Sequence, residues 1–216
     1  MRRSTFTDQP VNYASVGATL AADMMSFPPP GMHPLHDSIK LGSGEERFQI
    51  AHSAVMTWSV QTNSGIRVSD KKPGSGAQYQ GVIFDEDGAP AVDQTHRNPE
   101  ATFGPDGTPY ITAGMTATLD RRLGWFHCTG PVRVVYVVDE PRRVGFACGT
   151  MDPSPLRGEE SFVVEHRDDD SVWLSVRTLT SPATWQMRLL APYLQHQERL
   201  QLRRYLRALH PVNTAS

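Results

Sequence analysis

The segment Val132–Asp139, VRVVYVVD, constrains this chain more than any other. Its β-branched residues crowd a helix and suit a pleated strand. Its apolar side chains fall on both faces, as in a central, well-covered strand. A turn at 140–143 leads to a second strand, Val144–Thr150. There Val144, Phe146 and Cys148 share one face, while Gly145, Ala147 and Gly149 leave a smooth groove on the other. After the loop MDPSPLRG, Glu160–His166 and Val172–Thr180 read as a hairpin closed by RDDDS. Ile111–Leu119 is a further candidate strand, and Val11–Thr19 a short one ending at Gly17.

Helices flank these strands. Ser43 is the expected N-cap of the first, with Glu46 completing a capping box. Phe48, Ala51, Val55 and Trp58 follow on one face, and 63–65 ends the helix. Residues 181–209 read as one long helix started by Ser181 and Pro182. Trp185, Leu189, Tyr193, His196 and Leu200 mark one face, continued by Leu202, Leu206 and Leu209, and Pro192 is expected to kink or divide it. Residues 26–36 hold four prolines and a glycine and predict an irregular connection. Residues 69–109 are rich in Gly, Pro, Asp and Ser and predict a loop insertion or lid, with one strand at Gln80–Phe84. An early helix, a block of antiparallel strands and a long last helix make an α+β pattern. Residues 1–216 then form a single domain, a curved antiparallel sheet gripping the C-terminal helix. Its open end suits a ligand.

Composition narrows function. The chain has 216 residues, enough for a core without staples. A net charge of −2 gives no basic footprint for nucleic acid. Mean hydropathy is −0.41, and no stretch reaches the roughly 18 apolar residues of a membrane span. Cys128 and Cys148 are too few for a disulfide framework, and the first residues lack a secretory apolar core, so the expected compartment is cytoplasmic. The eight histidines are scattered without ligand spacing, so neither a metal nor another cofactor is expected.

Several segments resemble an uncharacterised family, domain of unknown function 1990. The strongest is PVRVVYVVDEPRRVGFACGT (Pro131–Thr150), followed by RGEESFVVE (Arg157–Glu165). VGAT (Val16–Thr19), LGSGEERF (Leu41–Phe48), TLTSPATW (Thr178–Trp185) and RRYLRAL (Arg203–Leu209) support it, and together they span about two-thirds of the chain. The resemblance implies a START-like, helix-grip domain akin to plant allergens and polyketide cyclases. The chain departs from the family pattern in three places. Cys148 stands where Tyr is usual, Met151-Asp152-Pro153-Ser154-Pro155 replaces a Leu-Pro-Gly-His-Pro stretch, and Val132 replaces a common Cys. Residues 72–108 also look inserted.

The expected function is binding of a small hydrophobic ligand or substrate, with acid–base assistance to cyclisation, dehydration or isomerisation. Glu160 is the candidate acid or base, since an apolar pocket raises a carboxyl pKa toward neutrality. Tyr136 is the candidate hydrogen-bond donor. Tyr13, Trp58, Arg133, Phe146, Cys148, Thr150, Trp173 and Trp185 are candidate pocket residues. A structural role in core, loop or sheet edge is the competing reading for each. A non-catalytic carrier or sensor is the alternative function, and homodimerisation is left open.

Overall fold

The computed structural model describes residues 11–74, 103–104 and 107–210. Its elements are β1 (His33–Ser43), α1 (Glu45–Val55), α2 (Ser59–Asn63), β2 (Arg67–Lys72), β3 (Thr116–Leu123), β4 (Phe126–Glu140), β5 (Arg143–Thr150), β6 (Leu156–His166), β7 (Ser171–Pro182), α3 (Trp185–Leu189) and α4 (Ala191–Arg207). The strands form one antiparallel sheet in the order β1-β7-β6-β5-β4-β3-β2. Both helical segments between β1 and β2, and α4 at the end, bury their apolar sides against one face. This is the α+β arrangement expected from the sequence, an antiparallel sheet with the long C-terminal helix against one face.

Period-two alternation sorts the side chains. On the helix side stand Val144, Phe146 and Cys148 of β5, Glu160, Phe162 and Val164 of β6, and Val172, Leu174 and Val176 of β7. On the outer side residues 11–24 cross the sheet as a strap. This strap is not the strand predicted for Val11–Thr19. It makes one isolated bridge, Val11 to Met151, and a 3-10 turn at Ala18–Leu20.

Other boundaries differ from expectation too. His33–His36, assigned to an irregular connection, begins β1. Pro34 is tolerated there because β1 is an edge strand. Gly44, at φ 91°, caps α1 without a side-chain bond, so Ser43 forms no capping box. Trp58 adopts a left-handed φ of 67° between α1 and α2 and divides the expected helix. β7 runs through Ser181 and Pro182, and Thr184 caps α3 instead. The last helix is split at Leu190, with Pro192 in the first turn of α4. Residues 69–72 belong to β2, whereas Gln80–Phe84 lies outside the described residues.

Candidate functional site

The middle of the grip is filled by aromatic rings in sequence. Trp58 meets Phe146 edge-on with centroids 5.0 Å apart, and Phe146 lies 5.6 Å from Phe162. Phe162 meets Tyr205 of α4 at 4.9 Å and 82°. All four are at most 1 % exposed. The chain of contacts ends in polar groups. The Tyr205 hydroxyl donates to Glu160 Oε2 at 3.1 Å, and Arg121 Nη1 donates to Glu160 Oε1 at 2.6 Å. Burial works against the Arg121 charge, but Glu160 and then Tyr205 outweigh it and hold the guanidinium protonated. Burial, reinforced by Glu160, pushes the Tyr205 hydroxyl and the Cys148 thiol well up. Cys148 therefore stays a thiol, a poor nucleophile. Thr178 Oγ1, opposite Glu160 in the β6–β7 ladder, is buried without a hydrogen-bond partner among the described residues.

Among the described residues, an open space lies at one end of the grip. A cavity of about 220 Å³ is bounded by Gly31, Met32 and His33 before and in β1, Thr180–Pro182 of β7, Leu156 of β6, and Ala191, Leu194, Gln195 and Glu198 of α4. Its walls are apolar at Met32, Leu156, Pro182, Ala191 and Leu194. Glu198 supplies its carboxylate. Burial pushes that carboxyl up to about 7 against the lowering effect of the Thr180 hydroxyl and Arg121. Burial, then Arg199, lowers the His33 imidazole and keeps it neutral. His33 Nε2 is buried without a partner among the described residues. A second void of about 10 Å³, also touching Leu156, is lined by Arg121, Cys128 and Thr150 and has room for about one water.

The outer face carries a separate cluster. Glu159 is fully buried under the strap. It accepts from Tyr13 Oη at 2.8 Å, Gly17 N at 2.7 Å, Thr19 N at 3.0 Å and the Thr19 hydroxyl. Because that hydroxyl donates to Glu159, Tyr136 Oη donates to Thr19 Oγ1 at 2.7 Å. Burial, then Glu159, pushes the Tyr13 hydroxyl far up, and burial also raises Tyr136. From β7, Arg177 Nη1 holds the strap carbonyls of Thr19 and Ala21 at 3.2 and 3.1 Å.

A family model described as "Domain of unknown function (DUF1990)" matches residues 12–88 and 94–208. The chain belongs to that family. A UPF0548 protein of Deinococcus radiodurans is 32 % identical over 114 residues, which is 49 % of this chain and 58 % of that relative's length. Among solved structures, a hypothetical protein from Helicobacter pylori matches with a TM-score of 0.50 and 13 % identity, covering 89 % of this chain and 94 % of its own. A protein from Thermus thermophilus also reaches 0.50, at 9 % identity, covering 85 % and 98 %. At such identities these two likenesses show the fold alone.

In this DUF1990 chain the candidate residues do not form one site. Trp58, Phe146, Cys148 and Glu160 are on the helix side of the sheet, and Tyr13, Tyr136, Arg133 and Trp173 are on the outer side. Glu160 and Tyr136 are therefore not brought together. The cause is a bulge in β4 between Val134 and Tyr136, which turns Tyr136 to the face of its partner Ala147. Thr150 bonds Gly158 N at 2.8 Å and Asn12 Oδ1 at 2.6 Å, tying the strap to β6. Trp173 lies under the Arg167 guanidinium at 4.3 Å, and Trp185 is 67 % exposed on α3. None of the ten lines the 220 Å³ cavity.

The cavity and its polar backing bring in Glu198, Arg121, Tyr205, His33 and Thr180, which sequence reasoning passed over. Glu198 left a signal. It sits four residues from Leu194 and Leu202, on the buried stripe of α4. A carboxylate within an apolar stripe is unusual. Among the described residues, no three His, Cys, Asp or Glu side chains are placed to hold a metal, and no helix is long and apolar enough to cross a membrane.

Proposed function

We propose that the protein holds a small, largely apolar molecule in the cavity between α4 and the β1–β7–β6 end of the sheet. Glu198 is its acid or base there. The observation that carries this reading is a carboxyl poised near neutrality in a partly apolar recess of about 220 Å³. Drug-sized ligands occupy roughly 300–1,000 Å³, so a smaller guest, or one end of a larger one, fits. Glu160 keeps a supporting role in this scheme. Both its oxygens are engaged by Arg121 and Tyr205, so it shapes the field at Glu198 and does not itself move a proton. Cyclisation, dehydration and isomerisation are the reactions one carboxyl of this kind assists without a cofactor. Two free, buried cysteines fit a reducing cytoplasm.

That engagement of Glu160, with Tyr136 on the other face, also favours a second reading, a non-catalytic carrier or sensor. One experiment addresses both. Native mass spectrometry of freshly purified protein should find a retained small molecule, absent from an Ala191→Trp variant that fills the cavity. A retained molecule present equally in both proteins would overturn the location. Recovery of the guest unchanged after long incubation would select the carrier.

A further inference from the structure

We propose that this cavity selects a small organic amine, its ammonium group paired with Glu198 and its apolar body against Met32, Leu156, Pro182 and Leu194. The inference rests on the reading that the cavity holds a guest, and adds the chemical class of that guest.

Every element around Glu198 enters the charge account. β3 contributes Arg121 and β6 contributes Glu160, but these two are 2.6 Å apart and answer each other. β7 contributes Thr180, a neutral hydroxyl, and Tyr205 of α4 is neutral and bonded to Glu160. β1 contributes His33, kept uncharged by burial and by Arg199. Arg199 itself is exposed on α4, with its charge in water. The sum left facing the cavity is one negative charge, that of Glu198. Burial of the Glu198 carboxylate outweighs the Thr180 hydroxyl and Arg121, whose charge Glu160 answers, and pushes the carboxyl up to about 7. An ammonium group offsets that burial. A neutral alcohol offers a hydrogen bond but no charge, and a carboxylate guest adds repulsion. Met32, Leu156, Pro182, Ala191 and Leu194 supply apolar surface for a short hydrocarbon body.

Protonation gives the proposal a signature. An alkylamine is charged throughout the range of interest, whereas Glu198 must ionise to receive it. Isoamylamine, isoamyl alcohol and isovalerate, alike in shape and different in charge, are titrated into the full chain by calorimetry at about pH 6, 7 and 8, on either side of the Glu198 ionisation. The amine should bind at least about tenfold more tightly than the alcohol at the highest pH, and isovalerate least. Its affinity should weaken about tenfold from the highest pH to the lowest while that of the alcohol stays level. Glu198→Gln should make amine and alcohol equal and remove the pH dependence. Equal binding of amine and alcohol to the wild-type chain would overturn the charge selectivity and leave the cavity reading standing. If none of the three binds, both fail. Amine preference that survives Glu198→Gln would move the anion elsewhere and also overturn the proposal.

Discussion

Glu159 and Glu160 are neighbours with opposite surroundings. Strand alternation sends Glu159 outward under the strap, where four donors surround it, and Glu160 inward to Arg121 and Tyr205. Glu198 differs from both, because burial dominates over its bond to the Thr180 hydroxyl and the Arg121 charge. Its folded pKa of about 7 exceeds the ordinary 4.5. Between those values the folded chain holds a proton that the unfolded chain releases, so stability declines as pH rises from about 4.5 to 7 and is level above. Glu198→Gln should flatten that decline. Melting curves should show the variant gaining about 2–4 °C at about pH 8 and nothing near pH 4.5, allowing for solvent screening of a half-buried carboxyl. A gain at both pH values would mean the carboxyl titrates normally.

At the level of elements, the strap and α4 hold the two faces of the sheet by different physics. α4 buries a stripe of Leu194, Leu202, Tyr205 and Leu206 on the helix side. The strap has few apolar anchors and depends on hydrogen bonds that converge on Glu159. Tyr13 packs against Gly149, where an added Cβ would collide with its hydroxyl. The groove of small residues inferred on β5 is thus occupied at Gly149. Glu159→Ala leaves four donors unpaired beneath the strap, and should cost about 3–5 kcal/mol in urea unfolding. A loss below about 1 kcal/mol would show that the strap is held by something else. The sequence pattern misplaces the phase of the last helix for a related reason. Trp185 and Leu189 are exposed, because α3 and α4 do not share one continuous face across Leu190.

Across the whole molecule, the Arg121–Glu160–Tyr205 contact joins β3, β6 and α4. Removing one charge strands the other. Arg121→Met should destabilise by about 3–5 kcal/mol, and adding Glu160→Leu should restore most of the loss in a double-mutant cycle followed by denaturant unfolding. Additive losses would instead mean that the two residues act independently.

What the amino-acid order determined alone was the architecture: central strands from β-branched runs, a hairpin from its acidic turn, a last helix interrupted near Pro192, and the family from Pro131–Glu165. These are local signals, carried by periodicity and propensity within a few residues. The tertiary structure decided where the candidate residues stand. A bulge in β4 reversed Tyr136, alternation separated Glu159 from Glu160, and the docking of α4 put Glu198 at the cavity. Register, bulges and helix phase depend on packing between segments far apart in the chain, and no local pattern encodes which face a side chain finally meets.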